Sequence, residues 1–352
     1  MHDDSQNLAS AALTNAPFRN VFVCYSYVMS KSESQKEVRV IAPSCSMRPS
    51  QKRQYERAQE RIESLGYKVT FAKHVDSDFH QGTARAEDRA RDFNDAYSDT
   101  NVAVVMAMHG GWAANEILPY IDWNIIRNNP KPLIGFSDIT VLLNAVYAKT
   151  GIRNYLGPNF STIGSMRSWE YTLASLGAAL QGLSIEPTRS RLWGTGREKK
   201  GHRTKPWKVI QPGVCRAPLL GGNAGTFYLL QGTEYQPRFD KDFVLAYEDD
   251  DESGKYTARE FSRRLESLLQ LPGVRENIRG MLIGRFQPES RVTDKELESI
   301  VLSKHIGDIP IISRVDFGHT LPMLTLPIGG KVAIDASTSQ VVLQIEEQVE
   351  RK

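Results

Sequence analysis

Short apolar runs alternate with longer amphipathic segments over the first half of the chain. Four runs rich in β-branched or apolar residues predict strands, at 38–42, 67–71, 102–108 and 132–136. Between and after them, apolar residues at helical spacing predict helices, at 50–65, 85–97, 117–126 and 139–148. Strands that alternate with helices of about 10 to 15 residues indicate βαβ units and a mostly parallel sheet.

The pattern changes after residue 166. Segment 189–208, RSRLWGTGREKKGHRTKPWK, is basic and rich in polar residues and glycine, which predicts a long loop. Beyond it, strands are predicted at 243–247, 280–283 and 310–315, with a helix at 258–271. We therefore expect an extension (1–36), an N-terminal domain (37–166), a connecting loop for the substrate (167–208) and a smaller C-terminal domain (209–347).

Composition narrows the classes of function. The 352 residues suffice for about two domains, and 40% are hydrophobic, enough for a core in each. The formal charge of +3, from 44 basic and 41 acidic residues, argues against a nucleic-acid polymer or an anionic membrane as partner. Cys24, Cys45 and Cys215 form no C-x-x-C pair, which is typical of a reducing compartment.

Localisation and the N-terminus are predicted together. The chain has no apolar run near the roughly 20 residues that span a bilayer. The apolar patch 21–28 is short for a signal-peptide core, and no small-residue cleavage site follows it clearly. We expect residues 1–36 to be a disordered extension of a cytoplasmic protein, with Met1 or Met29 as the natural start.

The segment KPLIGFSDITVLLNAV contains the first candidate for chemistry. Ser137 lies between a predicted strand and a predicted helix, whose N-terminus offers unpaired amides and a positive dipole end. A nucleophile and an oxyanion both need that environment. However, Ile139 takes the position at which the α/β-hydrolase elbow has its second glycine, so a simple helix cap at Ser137 or Asp138 is the alternative.

A glycine pair ends the preceding strand, in MAMHGGWAANEILP. Gly110 and Gly111 let the backbone turn sharply and approach a ligand closely. Because neighbouring parallel strands end at one edge of a sheet, this loop could donate an amide beside Ser137. An ordinary strand-to-helix turn is the alternative.

An acidic residue and a histidine complete the candidates. Glu248 ends an apolar strand in FVLAYEDDDESG and could orient a histidine. The alternatives for this acidic run are a solvated loop or a Mg²⁺ or Ca²⁺ site, although it lacks the ligand spacing of an EF-hand. His319 lies in the glycine- and proline-bounded loop DFGHTLP, and His109 is the rival base among seven histidines.

Other chemistries lack their motifs. The chain contains no phosphate-binding P-loop, no G-x-G-x-x-G dinucleotide turn, no H-E-x-x-H zinc helix and no S-x-x-K dyad. These absences argue against the corresponding chemistries, and we expect no metal and no organic cofactor.

Together these segments resemble the LD-carboxypeptidase family of serine peptidases, and within it most the microcin C immunity branch. The resemblance covers about residues 38–344, in the order VIAPS, HGGWAANEILPYIDW, NPKPLIGFSDIT, LLGGN, YEDDDE, IGRFQ and DFGHTLPMLTLPIGG. It implies a flavodoxin-like N-terminal domain, a smaller β-rich α/β C-terminal domain and a homodimer. His109 departs from the arginine or glycine of many members, and Trp112 begins a run that also differs.

The resemblance implies roles for individual residues. Ser137 falls on the nucleophile, Glu248 on the acidic member and His319 on the base. The backbone amides of Gly111 and Asp138 would form the oxyanion hole.

Substrate-binding residues are implied less directly. In the immunity branch a loop aromatic stacks on the substrate's base, which makes Trp193 a candidate; alternatively, Trp193 and Trp207 anchor the loop to the core. Asn223 in LLGGN is a second candidate. The basic residues of the long loop could meet a phosphate or be solvated; they are Arg197, Lys199, Lys200 and Arg203.

We therefore expect a serine peptidase that hydrolyses peptidyl- or aminoacyl-nucleotides of the microcin C type. Removal of the terminal D-amino acid from murein tetrapeptides is the alternative. A ligand-binding module without catalysis is a third hypothesis, against which the complete Ser, Glu and His set argues.

Overall fold

The computed structural model describes residues 18–19, 36–196, 200–337 and 341–346. The expected extension 1–36 lies outside this part of the chain apart from residues 18, 19 and 36, and so do Arg197 and Lys199. Across the described ranges, no helix has both the length and the apolar character needed to cross a membrane.

Strands and helices alternate along most of the described chain. The strands are β1 (Phe18–Arg19), β2 (Glu37–Ile41), β3 (Lys68–Phe71), β4 (Val102–Ala107), β5 (Leu133–Gly135), β6 (Asn154–Leu156), β7 (Glu186–Pro187), β8 (Leu192–Trp193), β9 (His202–Arg203), β10 (Lys208–Gln211), β11 (Val214–Asn223), β12 (Phe243–Glu248), β13 (Ile278–Gly284), β14 (Ile311–Val315), β15 (Leu326–Ile328), β16 (Lys331–Asp335) and β17 (Val342–Ile345). The α-helices are Lys52–Glu63, Ala86–Ser98, Trp123–Asn128, Thr140–Thr150, Phe160–Ile163, Trp169–Leu180, Ala224–Tyr228, Thr257–Leu269, Val274–Asn277 and Asp294–Leu302. The 3-10 helices are Pro49–Gln51, Ala114–Tyr120, Ser137–Ile139, Gly254–Tyr256 and Pro288–Ser290.

One 13-stranded sheet contains strands from both halves of the chain. Its main path is β10-β14-β13-β12-β11-β15-β6-β5-β4-β2-β3, and β16 and β17 extend it from β11. Strands β2 to β6 pair in parallel, as do β11 to β14. The two parallel sets meet where β15 pairs antiparallel with β6. The α/β class and the largely parallel sheet are therefore confirmed, whereas the domain boundaries stay predictions.

Burial explains why the apolar runs form strands. All six residues of β12 are buried, as are five of six in β4, because helices cover a parallel sheet on both faces. The helix Thr140–Thr150, which follows Ser137, is buried along its first seven residues. The side chain of Asn144 in this helix donates to the carbonyl of Gly221 in β11 at 2.9 Å, so the helix is bonded to the second parallel set.

The expected loop between residues 167 and 208 is wrong in its first part, which contains the helix Trp169–Leu180. Seven of its twelve residues are buried, so it lacks the polar face of an amphipathic helix. Thr172 accepts from the amide of Met323 at 3.1 Å, and Ser175 accepts from that of Thr325 at 2.8 Å. The helix therefore supports the segment that follows His319.

The single helix expected at 117–126 is also wrong. The chain forms the 3-10 helix Ala114–Tyr120, which contains Pro119, and then the separate helix Trp123–Asn128. Proline has no amide hydrogen to continue an α-helix. Asp122 starts the second helix, because its carboxylate accepts from the amides of Asn124 and Ile125 at 2.9 and 3.1 Å.

Asp316, which follows β14, joins the segment 189–208 to the sheet. Its fully buried carboxylate accepts from the indole of Trp207 at 2.9 Å and from the guanidinium of Arg285 at 2.8 Å. It also accepts from the Ser190 amide at 3.3 Å. Trp207 therefore anchors the end of the segment to the core. This agrees with the interpretation that the tryptophans anchor the loop.

We expect Asp316→Ala to lower the free energy of unfolding by about 3 kcal/mol, because it leaves the Arg285 guanidinium buried without its counter-charge. Chemical denaturation checks this. The control is Glu260→Ala, which removes an exposed ion pair with Arg263 and should cost less than about 0.5 kcal/mol. Equal effects of the two substitutions would contradict the prediction.

Candidate active site

Ser137 occupies a strained turn between β5 and the helix Thr140–Thr150. Its φ is +63°, in the left-handed region that residues other than glycine rarely adopt. Such strain is typical of a nucleophile held above a sheet. Gly110 lies against it: a Cβ at position 110 would be 2.7 Å from the Ser137 Cβ and 2.9 Å from its Oγ. Position 110 therefore has to be glycine for this turn to form.

The structure brings Ser137, His319 and Glu248 together. The Nε2 of His319 lies 2.9 Å from the Oγ of Ser137, and its Nδ1 lies 2.9 Å from the Oε2 of Glu248. Both are hydrogen-bond distances, and a carboxylate at Nδ1 keeps the proton there and leaves Nε2 facing the hydroxyl. The serine comes from the first parallel set, whereas Glu248 ends β12 and His319 follows β14.

The Glu248 carboxylate is buried and closely packed. Its side chain is 1% exposed, and its Oε1 has no hydrogen-bond partner within the described ranges. Gly318 has a φ of +91°, and a Cβ there would lie 2.5 Å from the Glu248 Oε2. Glycine before His319 therefore lets the imidazole approach the carboxylate.

The charge of His319 is set by opposing effects. Burial lowers the pKa of His319, but the charge of Glu248 and its hydrogen bond outweigh burial, with smaller contributions from Asp250 and Asp249. The resulting pKa is raised from 6.5 to about 9. The imidazole is therefore mostly protonated at neutral pH when no ligand is bound.

Asp138 ties the Ser137 turn to the glycine loop. Its Oδ2 accepts from the Oγ of Ser44 at 2.6 Å and from the amide of Ala114 at 2.8 Å. The Cys45 amide in turn donates to the Gly110 carbonyl at 3.2 Å. Burial raises the pKa of Asp138, although these hydrogen bonds oppose the shift. The side chain thus holds the segments that carry the amides of Gly111 and Asp138 in a fixed relation.

His109, the rival base, has a different partner. Its Nε2 lies 2.8 Å from the Tyr55 hydroxyl, and burial, followed by the charge of Arg48, lowers the pKa of His109 to about 4. It is therefore neutral at physiological pH.

The first residue of the acidic run after Glu248 is paired with an arginine. The Asp249 carboxylate accepts two hydrogen bonds from Arg264, at 2.7 and 2.8 Å. Burial raises the pKa of Asp249 to about 7, although Arg264 opposes the shift. No cluster of three or more His, Cys, Asp or Glu side chains in the described part of the chain is arranged to hold a metal ion.

Asn223 and Trp193 make contacts with different partners. Asn223 caps the helix Ala224–Tyr228, since its Oδ1 accepts from the Thr226 amide at 3.0 Å, while its Nδ2 donates to Asp250 at 3.3 Å. The Trp193 ring packs on His202 with centroids 4.9 Å apart. The guanidinium of Arg285 lies 5.5 Å from the same Trp193 ring. Substrate binding by either residue stays a prediction.

A cavity of about 650 Å³ opens above Ser137 and His319. Asn223 lines it, whereas Trp193 does not. Other lining residues were not predicted from the sequence, although Arg48 follows the VIAPS motif and Gln287 ends IGRFQ, so the motifs were the available signal. Those that bear charge or amide groups are Arg48, Gln51, Asn159, Asp250, Asp251, Glu252, Arg264 and Gln287.

Comparison with known families covers most of the chain. The LD-carboxypeptidase N-terminal domain matches residues 38–157, and the LD-carboxypeptidase C-terminal domain matches residues 216–334. A carboxypeptidase-named protein of Treponema pallidum is 38% identical over 325 residues, which cover 90% of this chain and 95% of that protein.

Two further similarities concern the microcin immunity branch. The microcin C7 self-immunity protein MccF of Escherichia coli is 28% identical over 309 residues, 82% of this chain and 88% of its own. The crystal structure of an MccF-like protein from Bacillus anthracis superposes with a TM-score of 0.86 at 34% identity, covering 90% of this chain and 98% of that one.

One experiment can measure the opposite pKa shifts of the two histidines. NMR titration of the imidazoles should give a pKa near 9 for His319 and near 4 for His109. Glu248→Gln should bring the pKa of His319 below 6.5, since burial would then be the largest remaining influence. A value for His319 that stays near 9 in this variant would contradict the assignment of the shift to Glu248.

Proposed function

The chain belongs to the LD-carboxypeptidase family, and on that premise we propose that it is a serine peptidase with Ser137, His319 and Glu248 as its catalytic triad. The observation that carries this proposal is the pair of 2.9 Å contacts that join the three side chains through one imidazole. The left-handed backbone at Ser137 supports it further.

Hydrolysis would proceed by acyl transfer. The Ser137 oxygen attacks the carbonyl carbon of the scissile amide while Nε2 of His319 accepts the hydroxyl proton. The intermediate collapses with cleavage of the C–N bond, and His319 returns that proton to the departing amine. A water molecule then attacks the acyl-enzyme by the same route, which releases the acid and regenerates Ser137.

Two backbone amides would stabilise the developing oxyanion. Gly111 and Asp138 line the cavity beside Ser137, and no hydrogen bond from the amide of either residue to another backbone group occurs in the described ranges. Loss of one such donor typically costs about 10²–10³-fold in kcat.

Glu248 would orient His319 and stabilise its imidazolium form. The same carboxylate raises the pKa of His319, so the neutral base is a minor species below about pH 9. Activity in this mechanism therefore rises with pH through that range, because only the neutral imidazole accepts the serine proton.

We propose a short peptide as substrate, with release of its C-terminal residue. Relatives named as carboxypeptidases support this, including a murein tetrapeptide carboxypeptidase of Pseudomonas aeruginosa. Peptidyl- or aminoacyl-nucleotides are the second candidate, supported by E. coli MccF and by its structure in complex with aspartyl sulfamoyl adenosine. A cytoplasmic homodimer remains part of the proposal.

Ser137→Ala should abolish turnover of peptide substrates, lowering kcat by at least about 10⁴-fold, because no other group can form the acyl-enzyme. A fluorophosphonate probe should label the native protein at Ser137, as mass spectrometry of the digest would reveal. Ser299→Ala, an exposed serine, is the matched control and should keep both activity and labelling. Near-normal turnover by folded Ser137→Ala would end the proposal.

Asp138→Ala should lower kcat by about 10²-fold with little change in KM, since the two oxyanion donors lose their fixed relation. Asp138→Asn keeps an oxygen that can accept from Ser44 and Ala114, so it should restore most of kcat. Steady-state kinetics of both variants, with thermal unfolding to verify folding, test this. A full kcat in Asp138→Ala would refute the positioning role.

A further inference from the structure

Asn159 follows β6 and lines the cavity above Ser137, although its side chain is almost completely buried. The residue is 3% exposed. It is also the N-cap residue of the helix Phe160–Ile163. Asparagine at such a position ordinarily accepts from the first amides of its own helix, but the Asn159 side chain makes no such bond. Its carboxamide is therefore available for another role.

The oxygen of this carboxamide binds the backbone next to the nucleophile. The Phe136 amide donates to the Asn159 Oδ1 at 3.2 Å. Gly135 makes room for this contact, because a Cβ at position 135 would lie 2.9 Å from the same oxygen. A backbone amide can only donate, so the bond identifies which end of the carboxamide is the oxygen and which is Nδ2.

The Nδ2 of Asn159 is a donor without a protein partner. Within the described ranges, the side chain makes no hydrogen bond other than the one to Phe136. Nδ2 is not one of the fully enclosed polar atoms that lack a partner there, so the small exposed area of the residue includes it. That area faces the cavity. A nearly buried N–H without an acceptor is costly, and a ligand that brings an oxygen would satisfy it.

Strand geometry shows on which side of β5 this donor lies. Successive residues of a parallel strand direct their backbone groups to opposite neighbours. The Gly135 carbonyl accepts from the Gly157 amide at 3.0 Å, on the side of β6. The next amide, that of Phe136, therefore points towards β4, and so does the Asn159 carboxamide that accepts from it.

The glycine loop lies on that same side. The chain after Asn159 crosses to the end of β4, where the Ser161 amide donates to the Met108 carbonyl at 3.2 Å. Gly110 follows two residues later and packs against Ser137. The free Nδ2 and the glycine loop thus share one side of the Ser137 turn, the side on which an oxyanion would be bound.

We propose that Asn159 is a catalytic residue, whose Nδ2 donates a third hydrogen bond to the oxyanion beside the amides of Gly111 and Asp138. This inference rests on the proposed serine-peptidase function and deepens it at the same site. Asparagine side chains are suited to this role. The bond to Phe136 holds the carboxamide in place, so the donor needs no reorganisation when the negative charge develops.

Two substitutions remove the donor in different ways. Asn159→Asp keeps an oxygen that accepts from the Phe136 amide, whereas Asn159→Ala removes both ends of the carboxamide. Both variants should lower kcat by about 10²-fold and change KM by less than about twofold, because the donor acts on charge that develops only in the transition state. The assay substrate is a synthetic murein tetrapeptide, L-Ala-γ-D-Glu-L-Lys-D-Ala. Measuring kcat on the plateau of the pH profile keeps any change in the pKa of His319 out of the comparison.

A second readout does not depend on the substrate. The phosphonyl oxygen of a fluorophosphonate takes the place of the oxyanion when the probe reacts with Ser137. Both variants at position 159 should therefore be labelled at least about tenfold more slowly than native protein. The labelling rates alone decide the inference if the native enzyme does not cleave the tetrapeptide.

Controls separate this role from support of the Ser137 turn. Asn159→Asp should unfold at the native temperature, whereas Asn159→Ala should unfold at a lower one, since it also removes the bond to Phe136. Asn128→Asp makes the same chemical change at an exposed asparagine. It should keep the native kcat, KM and labelling rate.

The failures of the inference and of the proposed function are distinguishable. Native kcat and labelling rate in Asn159→Asp would overturn the inference, even if Asn159→Ala were impaired, because both variants lack the donor. A loss that appears in KM with kcat unchanged would also overturn it. The peptidase function stands in these cases, since the native protein still reacts at Ser137. Absence of both cleavage and labelling in the native protein would instead count against the serine-peptidase function.

Discussion

The candidate site depends on the imidazole of His319, because this ring contacts one group from each of the two parallel sets of strands. Ser137 follows β5 of the first set, and Glu248 ends β12 of the second. Two hydrogen bonds of 2.9 Å bridge them through one ring. Each side is adapted to that approach, through a glycine beside the serine at position 110 and another before the histidine at position 318. The continuous sheet and the helix Thr140–Thr150 keep the two sets in place so that the ring can make both bonds.

Electrostatics at this contact involve a compromise. A carboxylate buried as deeply as Glu248 orients the imidazole and stabilises its charged form, yet the same interaction raises the pKa of His319 to about 9 and reduces the supply of neutral base. The neighbouring acids strengthen that effect. Arg264 limits it by pairing with Asp249.

Much of the fold follows from local sequence, and the rest depends on tertiary neighbours. The apolar runs predicted the strands β2, β4 and β12 to within one or two residues, because their burial on both faces leaves a continuous hydrophobic pattern. The helix Trp169–Leu180 escaped the same analysis, since a helix buried on most sides has no amphipathic stripe. The order of the motifs along the chain identified Ser137, Glu248 and His319 as the candidate triad. The charge of the cavity could not be foreseen, because it depends on which acids are paired, and the partner of Asp249 lies fifteen residues further along the chain.

Three buried carboxylates differ in the groups that offset their negative charge, and this difference distinguishes a structural from a chemical role. Asp316 is matched by the full charge of Arg285 and by neutral donors, so it serves as a fixed anchor for the segment 189–208. Asp138 accepts from the Ser44 hydroxyl and from backbone amides, and these bonds hold the backbone geometry. Glu248 alone is matched by a group that can gain or lose its charge. A buried acid whose partner is itself titratable can stabilise the charge that this partner gains during a reaction, which is why Glu248, among these three, suits the proposed catalysis.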